Sequence, residues 1–383
     1  MKDYKKAIQN LYALGCYKDS YWNPRSIGLE KNDLTFLLSE RSLGKTTAML
    51  MLGMELNIEY GTVIHYIRES VKHLNRAYTK TLFSTIVKCG YAEKITRGKY
   101  NDVAYNHQER KWYYRKIDAD GIIEEVATEP FMVGLACDNS DAIKSSYVCD
   151  LADFLIVDEF CSQSLRNYFL DLNNIFSTLI RERTDFKIVF LSNAIDRTHW
   201  IFDEFPLREI IDTIGEGENV RFETDEGMTF YIEFCYHEAT RNRKKYVNEH
   251  LFGYKNSKLS AIKGGGWQMK IYRHLPAGAE YETIDNTRCI QTTSGYVALE
   301  VILYDDDFFI YAHKKTKLYN DSVIYSIDAS YDKRKKFAFG SKKYDKKIWN
   351  LVKQNKIFFG TNRDGMLLDA YIKQANAERV KII

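Results

Sequence analysis

The residues best suited by type and spacing to do chemistry lie between Leu37 and Thr47, in a stretch that ends in Gly44-Lys45-Thr46. An apolar run precedes the stretch, and Ala48 to Leu52 after it has the composition of a helix start. A strand, a tight loop ending in Gly-Lys-Thr and a helix form a P-loop, whose N–H groups bind phosphate oxygens. The lysine of such a loop reaches the β- and γ-phosphates, and the threonine hydroxyl binds Mg²⁺. The sequence therefore predicts a phosphate and Mg²⁺ site at this loop.

The predicted loop departs from the pattern G-x-x-x-x-G-K-[ST] at one position, because Ser39 stands where the first glycine is expected. Serine is small, so the loop can close if this position does not need a positive φ. The alternative interpretation is an ordinary helix N-terminus with Ser42 as its cap. The predicted nucleotide-binding residues are Ser39, Glu40, Arg41, Ser42, Leu43, Gly44, Lys45, Thr46, Thr47 and Asn193.

A second stretch favours the P-loop interpretation, since four apolar residues, 154–157, end in the carboxylates Asp158 and Glu159. This is the Walker B pattern, in which a buried parallel strand carries an aspartate to the metal and a glutamate to the attacking water. Asp158 lies 113 residues after Lys45, and another apolar strand lies between them, as a βαβ-built sheet requires. A third strand ends at Asn193, which is either a γ-phosphate sensor or a turn former.

The remaining pattern predicts an α/β domain over residues 1–235, a basic helical linker over 236–266 and an α+β domain over 267–383. In the first domain we expect the elements that follow. They are strands at 62–67, 187–191 and 230–234, helices at 71–92 and 164–180, an antiparallel ribbon at 107–135 inserted into a parallel sheet, and a polar loop at 137–146. In the last domain we expect strands at 267–272, 288–292, 296–303, 308–312 and 322–327, and mainly helix at 344–380.

Composition excludes several classes of protein. The net charge of +3 over 383 residues is too small to indicate a nucleic-acid partner by itself. Seven scattered cysteines without a C-x-x-C pair are typical of a reducing compartment, and the eight histidines show no zinc-ligand spacing. No apolar segment is long enough to be a signal or membrane-spanning sequence, so we expect a soluble, cytoplasmic chain.

In order and spacing these motifs resemble the DNA packaging (encapsidation) ATPases of small tailed bacteriophages, compact relatives of the terminase large subunits among ring-forming, ASCE-type P-loop motors. The resemblance covers most of residues 35–200. It is carried by 39–46, 66–68, 156–160, 180–183 and 191–194. It implies a P-loop NTPase domain with a mostly parallel sheet.

The resemblance also implies roles for single residues. Lys45 and Thr46 would hold the phosphates, with Thr46 and Asp158 on the Mg²⁺ ion and Glu159 activating water. Arg181 matches the arginine finger that reaches the neighbouring subunit's γ-phosphate, and Arg183 is the second choice for it. Lys144 matches the lysine that such motors point into the central pore, where it would grip DNA phosphates.

For the C-terminal domain, the resemblance implies an RNase H-like nuclease that is vestigial in small packaging motors. An active nuclease needs several carboxylates converging on two metal ions. The predicted strands offer only Glu300, and Asp305-Asp306-Asp307 falls at a turn. We therefore expect a nuclease-derived, inactive domain.

The function predicted in this way is an ATP-driven double-stranded DNA translocase. It would form a homo-oligomeric ring, a pentamer, on the portal (connector) of a procapsid in the host cytoplasm. Three alternatives remain open at this point. They are a related DNA pump for plasmid transfer or filamentous-phage extrusion, a terminase with an active nuclease, and a P-loop kinase of small molecules. Extrusion and transfer pumps usually carry a membrane segment, whereas a kinase would not need Glu159 beside Asp158.

Overall fold

The computed structural model divides the chain into two compact units, one made of residues 1–196 and 209–267, the other of residues 197–208 and 268–383. The residues that the structure describes are 2–19, 21–39, 43–75, 79, 81–146, 153–161, 167–181, 185–193, 199–238, 242, 272–292, 295–327 and 332–382.

The first unit contains these helices and strands. They are α1 (Tyr4–Ala13), β1 (Leu34–Ser39), α2 (Lys45–Tyr60), β2 (Ile64–Arg68), α3 (Ser84–Lys88), α4 (Tyr91–Ile95), β3 (Asp102–Asn106), β4 (Lys111–Ile117), β5 (Ile123–Val126), β6 (Met132–Ala136), α5 (Ser140–Ser146), β7 (Phe154–Asp158), α6 (Phe169–Ile180), β8 (Lys187–Asn193), α8 (Arg208–Thr213), β9 (Asn219–Glu223) and β10 (Thr229–Phe234).

The second unit contains fewer elements. They are α7 (Ile201–Glu204), β11 (Glu282–Asp285), β12 (Arg288–Thr292), β13 (Gly295–Tyr304), β14 (Asp307–Lys315), β15 (Val323–Ser326), β16 (Lys335–Phe337), α9 (Lys343–Lys353), β17 (Ile357–Phe359) and α10 (Asn362–Ile382).

The sheet of the first unit has a parallel centre in the order β6-β2-β7-β8-β1-β10. Antiparallel strands extend it on both sides, with β3, β4 and β5 beyond β6 and β9 beyond β10. Every residue of β1, β6 and β7 is buried, as expected for parallel strands covered on both faces. The carboxyl ends of β1, β2, β7 and β8 therefore meet at one edge, where open α/β sheets bind ligands.

One face of this sheet is covered by α1 and α2, whose apolar side chains share a core with β1 and β2. The approach of α2 to the sheet is close, because a Cβ atom added at Gly53 would lie 2.5 Å from Ile64 Cδ1. A larger side chain at Gly53 would therefore push the middle of α2 away from β2. The predicted fold class, an α/β chain with a large, mostly parallel sheet and a second sheet at the C-terminus, is confirmed.

Three local predictions for the first unit were wrong in detail. The last strand of the expected ribbon, β6, is parallel to β2 and belongs to the central sheet. The single helix expected over 71–92 is divided into shorter elements. It begins as a 3-10 turn, Val71–Leu74, and α3 follows after a gap in the described residues. Gly90, with φ +69°, separates α3 from α4. The polar loop at 137–146 is a 3-10 turn followed by α5, which Ser140 anchors by donating to Asp171 Oδ1 of α6 at 2.7 Å.

The second unit is built on a sheet in the order β16-β15-β12-β13-β14-β17, with β11 on β13. Strands β12, β13 and β14 form an antiparallel meander, and β15 and β16 continue the sheet in parallel beside β12. Side chains of α9 and α10 complete its core, among them Trp349, Leu368 and Tyr371. A second sheet is thus present at this end of the chain, and its expected RNase H-like character stays a prediction.

The predicted boundaries at residues 235 and 266 stay predictions. Most of the linker, and most of the strand expected at 267–272, lies outside the described residues. The second unit also takes in residues 197–208, which the sequence analysis assigned to the first domain.

Candidate nucleotide site

The predicted P-loop joins the end of β1, at Ser39, to the start of α2, at Lys45. Gly44 is the N-cap residue of α2 and has φ +89°, a conformation that favours glycine. Among the described residues no side chain caps this helix terminus, which is where N–H groups bind phosphate in a P-loop. The alternative cap, Ser42, lies outside the described residues together with Glu40 and Arg41.

The position that departs from the motif is occupied without strain, because Ser39 is a buried strand residue and is not among the residues with positive φ. Its hydroxyl accepts a hydrogen bond from the Lys45 ammonium, which is itself buried. Asn193, at the end of β8, pairs with Ser39 in the strand register. The structure thus brings the predicted sensor next to the start of the loop.

The Walker B carboxylate lies beside the P-loop helix. Asp158 is the last residue of β7, and its Oδ1 accepts a hydrogen bond from Thr46 Oγ1 at 3.3 Å. A hydroxyl and a carboxylate are oxygen ligands of the kind that Mg²⁺ prefers, so these two residues fit the predicted metal site. The predicted residues Lys45, Thr46 and Asp158 are therefore gathered at one edge of the sheet.

Two residues of β2 complete the site, and the sequence analysis assigned neither a role. Arg68 Nη1 donates to Asp158 Oδ2 at 3.1 Å, and Arg68 Nη2 is paired with Glu159 Oε2. The Tyr66 hydroxyl donates to Asp158 Oδ2 at 2.6 Å and accepts from Arg68 Nη1 at 3.2 Å. Residues i and i+2 of a strand share a face, so Tyr66 and Arg68 point to the same side of β2, but their contact with Asp158 depends on β2 lying beside β7, which the local sequence does not show.

The electrostatics of this cluster follow from burial and from the paired charges. Burial, and after it the charge of Asp158, raises the pKa of Tyr66 well above its usual value, so the hydroxyl remains a donor. Burial opposes the charge on Arg68, but Tyr66, Asp158 and Glu159 outweigh this effect and raise the pKa of the guanidinium. Arg68 therefore stays charged and offsets part of the negative charge of the two carboxylates that it contacts.

Glu159 differs from Asp158 in exposure and in backbone conformation. Its side chain is 55% exposed, compared with 8% for Asp158. Its φ of +56° is uncommon for a residue with a side chain, and its N–H donates to Asp158 Oδ1 at 3.1 Å. The turn directs the carboxylate to Arg68 and leaves it accessible to water.

The residues predicted to act on a neighbour or on DNA lie elsewhere. Arg181 directly follows α6, is exposed, has φ +47° and donates from Nε to the Thr178 carbonyl at 3.2 Å. Lys144 is exposed in the last turn of α5, so it is a helical residue and the expectation of a loop there was wrong. Arg183 lies outside the described residues. The predicted roles of Arg181 and Lys144 stay predictions.

The acidic residues of the second unit have structural contacts. Asp305 and Asp306 have φ of +54° and +57° and form the two-residue turn between β13 and β14. Glu300 Oε1 lies 3.2 Å from His313 Nε2 on the neighbouring strand. Among the described residues, no three His, Cys, Asp or Glu side chains gather in a group that could hold a metal ion.

Comparison with known proteins identifies the fold. No protein-family model matches the chain, and a search of curated proteins finds no match. Among solved structures, the bacteriophage Phi-29 viral genome packaging motor assembly matches with a TM-score of 0.56 and 16% identity, over 94% of this chain and 98% of that chain. The Phi-28 gp11 DNA packaging motor matches with a TM-score of 0.50 and 15% identity, over 93% and 98%. Among the described residues, no helix has the length and apolar character that crossing a bilayer requires. The chain therefore has the fold of the bacteriophage DNA packaging motors, which confirms the resemblance seen in its motifs.

Proposed function

We propose that the chain is an ATPase that drives double-stranded DNA through the portal of a viral procapsid. The observation that carries this proposal is the group formed by Lys45, Thr46 and Asp158 at the carboxyl edge of the parallel sheet. The fold shared with packaging motors supports the coupling to DNA, and the cluster itself supports the use of a nucleoside triphosphate.

Each side chain of the cluster has a distinct part in the proposed reaction. Lys45 and the N-terminus of α2 bind the phosphates, and Thr46 and Asp158 would hold Mg²⁺, which supplies positive charge at the phosphate oxygens. Glu159 accepts a proton from the attacking water. Because Glu159 is paired with Arg68, its carboxylate must leave the guanidinium before it acts as a base.

The proposal extends to the assembly. Copies of the chain form a ring, a pentamer, that docks at the portal vertex in the host cytoplasm. Arg181 of one subunit, or failing that Arg183, stabilises the γ-phosphate held by the next. Lys144 contacts DNA phosphates, a contact that needs charge but no particular sequence. The second unit is a nuclease-derived domain without cleavage activity.

The test is DNA-stimulated ATP hydrolysis by the full chain. Lys45→Ala and Glu159→Gln should lower kcat by about 10²-fold or more, because each removes a group that acts on the reacting phosphate or water. Lys144→Ala should keep the basal rate and lose stimulation by DNA, most clearly at high salt. Lys88→Ala, an exposed lysine in the last turn of α3, is the matched control and should behave like wild type. Wild-type turnover in both Lys45→Ala and Glu159→Gln would refute the proposed site.

A further inference from the structure

A cavity of about 650 Å³ lies in the first unit, and the chemistry proposed above does not use it. Its wall includes Tyr12, Trp22, Asn23 and Arg25 from the N-terminal segment, and Glu233 from β10. The volume is within the range of small-molecule sites, and the wall combines aromatic rings with a few polar groups. The cavity therefore has the size and the lining of a ligand site.

The cavity wall lies beside the strand and the helix that flank the P-loop. Glu233 pairs with Leu37 of β1, and Leu37 shares a face of the strand with Ser39, whose hydroxyl accepts from the Lys45 ammonium. A Cβ atom added at Gly44 would lie 4.0 Å from the Tyr21 ring, and Tyr21 directly precedes Trp22 of the cavity wall. A nucleotide held at Lys45 therefore has this cavity beside it.

Glu233 is the buried polar group of the cavity wall, with 7% of its surface exposed. Its Oε1 accepts from Trp22 Nε1 at 2.8 Å, and its Oε2 accepts from the Tyr231 hydroxyl at 2.8 Å. These two bonds fix the orientation of the carboxylate. An ionised carboxylate has about four acceptor sites, so two bonds leave capacity for a donor on a ligand.

We propose that Glu233 recognises the nucleotide base by accepting a hydrogen bond from its exocyclic amine, and that it thereby discriminates against a purine without this amine. This inference rests on the proposed function, since it requires a nucleoside triphosphate at Lys45. The rings of Tyr12 and Trp22 supply the apolar part of the wall. A base without the amine would leave a buried carboxylate facing an apolar edge, which sites built for a hydrogen bond discriminate against strongly.

The experiment compares ATP with purine riboside triphosphate, which lacks only the 6-amino group, in DNA-stimulated hydrolysis by the full chain. We expect wild type to show a KM for the analogue at least about 10-fold above that for ATP. In Glu233→Gln, this ratio should fall towards one with little change in kcat, because the charged acceptor is lost while the phosphate site is intact. Glu226→Gln, exposed in the turn between β9 and β10, is the matched control and should keep the wild-type ratio.

A second variant tests the proposal independently in case Glu233→Gln does not fold. Trp22→Phe keeps an aromatic ring in the wall and removes the N–H that holds Glu233 Oε1, so it should lower the ratio part of the way. Equal KM values for the two nucleotides in a wild type that hydrolyses ATP would show that Glu233 does not recognise the base. The same conclusion would follow if Glu233→Gln and Trp22→Phe both kept the wild-type ratio. In either case the proposed function would stand. If wild type hydrolyses neither nucleotide, both the proposed function and this inference fail.

Discussion

At the scale of single residues, Tyr66 links the carboxylate and the guanidinium of the candidate nucleotide site. Its hydroxyl donates to Asp158 and accepts from Arg68, so one oxygen fixes the carboxylate of the predicted metal site and the guanidinium that is paired with Glu159. The ring packs edge-on against Trp112 of β4, with the centroids 6.1 Å apart. Tyr66 is therefore a positioning residue, which acts through Asp158 and Arg68.

Tyr66→Phe should weaken the metal site while preserving the packing. The ring remains against Trp112, but Asp158 Oδ2 loses its shortest hydrogen bond. Hydrogen bonds to charged groups contribute about 1.5–3 kcal/mol, so we expect kcat to fall by about 10-fold or more. The Mg²⁺ concentration required for half-maximal ATPase activity should rise, and a Mg²⁺ titration of steady-state hydrolysis measures it.

The matched control for this prediction is Tyr105→Phe. Tyr105 also packs against Trp112, with centroids 4.5 Å apart, but its hydroxyl donates to the Leu74 carbonyl at 2.6 Å. The Tyr105→Phe variant should keep the wild-type requirement for Mg²⁺. The same Mg²⁺ dependence in Tyr66→Phe and Tyr105→Phe would show that Tyr66 serves packing alone.

At the scale of elements, the order of the parallel strands assembles the candidate nucleotide site. Strand β7 lies between β2 and β8, and β8 lies between β7 and β1. Residues that are far apart in sequence, such as Ser39 and Asn193, become neighbours because each ends a strand in the same direction. The helix α2 adds Lys45 and Thr46 because it begins directly at that edge.

The β13–β14 hairpin of the second unit carries a pair of side chains that responds to pH. The interaction with Glu300 raises the pKa of His313 above its ordinary value, although burial opposes it. Because the pKa of His313 is higher in the folded than in the unfolded protein, protonation of His313 stabilises the fold. This stabilisation is fully present at pH values below the unfolded-state pKa and is lost as the pH rises through the folded-state pKa. Because the pair is partly exposed, we expect it to contribute less than about 1 kcal/mol to the free energy of unfolding.

A histidine-selective NMR titration of the full chain tests this pair. The resonance that disappears in His313→Asn should titrate above the ordinary histidine pKa of about 6.5 in wild type. In Glu300→Gln it should move back towards that value, because the carboxylate that favours the imidazolium is gone. An unshifted His313 in wild type, or a shift that survives Glu300→Gln, would contradict the pairing.

At the scale of the whole molecule, the site is incomplete if Arg181 acts on a neighbouring copy, as we propose. Arg181 is exposed and lies outside the hydrogen-bonded group around Asp158. Arg181→Ala alone should therefore lower DNA-stimulated ATPase activity by about 10³-fold, the lower end of the effects ascribed to arginine fingers. The fold of the subunit should be unaffected, because the side chain is at the surface.

Mixing two inactive variants distinguishes action on a neighbour from action within one subunit. In a mixed ring, an Arg181→Ala subunit keeps Glu159 and receives the intact Arg181 of a Glu159→Gln neighbour. We expect the mixture to hydrolyse ATP faster than either variant alone, with a maximum near equal proportions. A rate that is only the weighted sum of the two variants would mean that Arg181 does not act across the interface.

The strands and the two candidate nucleotide motifs could be predicted from the sequence because their signals are local. A buried parallel strand is a short apolar run, and Gly44-Lys45-Thr46 and Asp158-Glu159 are contiguous. The backbone at Ser39 did not need glycine, since the strand conformation continues through it. The expected loop at 137–146 was wrong because α5 is held by tertiary contacts of Ser140 and the buried Ile143, which composition does not reveal.

Chain order and residue type by themselves determined the expected fold and the candidate site, because a buried parallel strand and a phosphate-binding loop each need a few residue types at set spacings. Tertiary structure alone decided which side chains lie beside those motifs. Tyr66 and Arg68 reach Asp158 only because β2 lies beside β7, and Glu233 faces a cavity only because β10 lies beside β1. These neighbouring residues are separated by 90 or more positions in the sequence, so the order of the strands brings them together and no local sequence pattern predicts the contact.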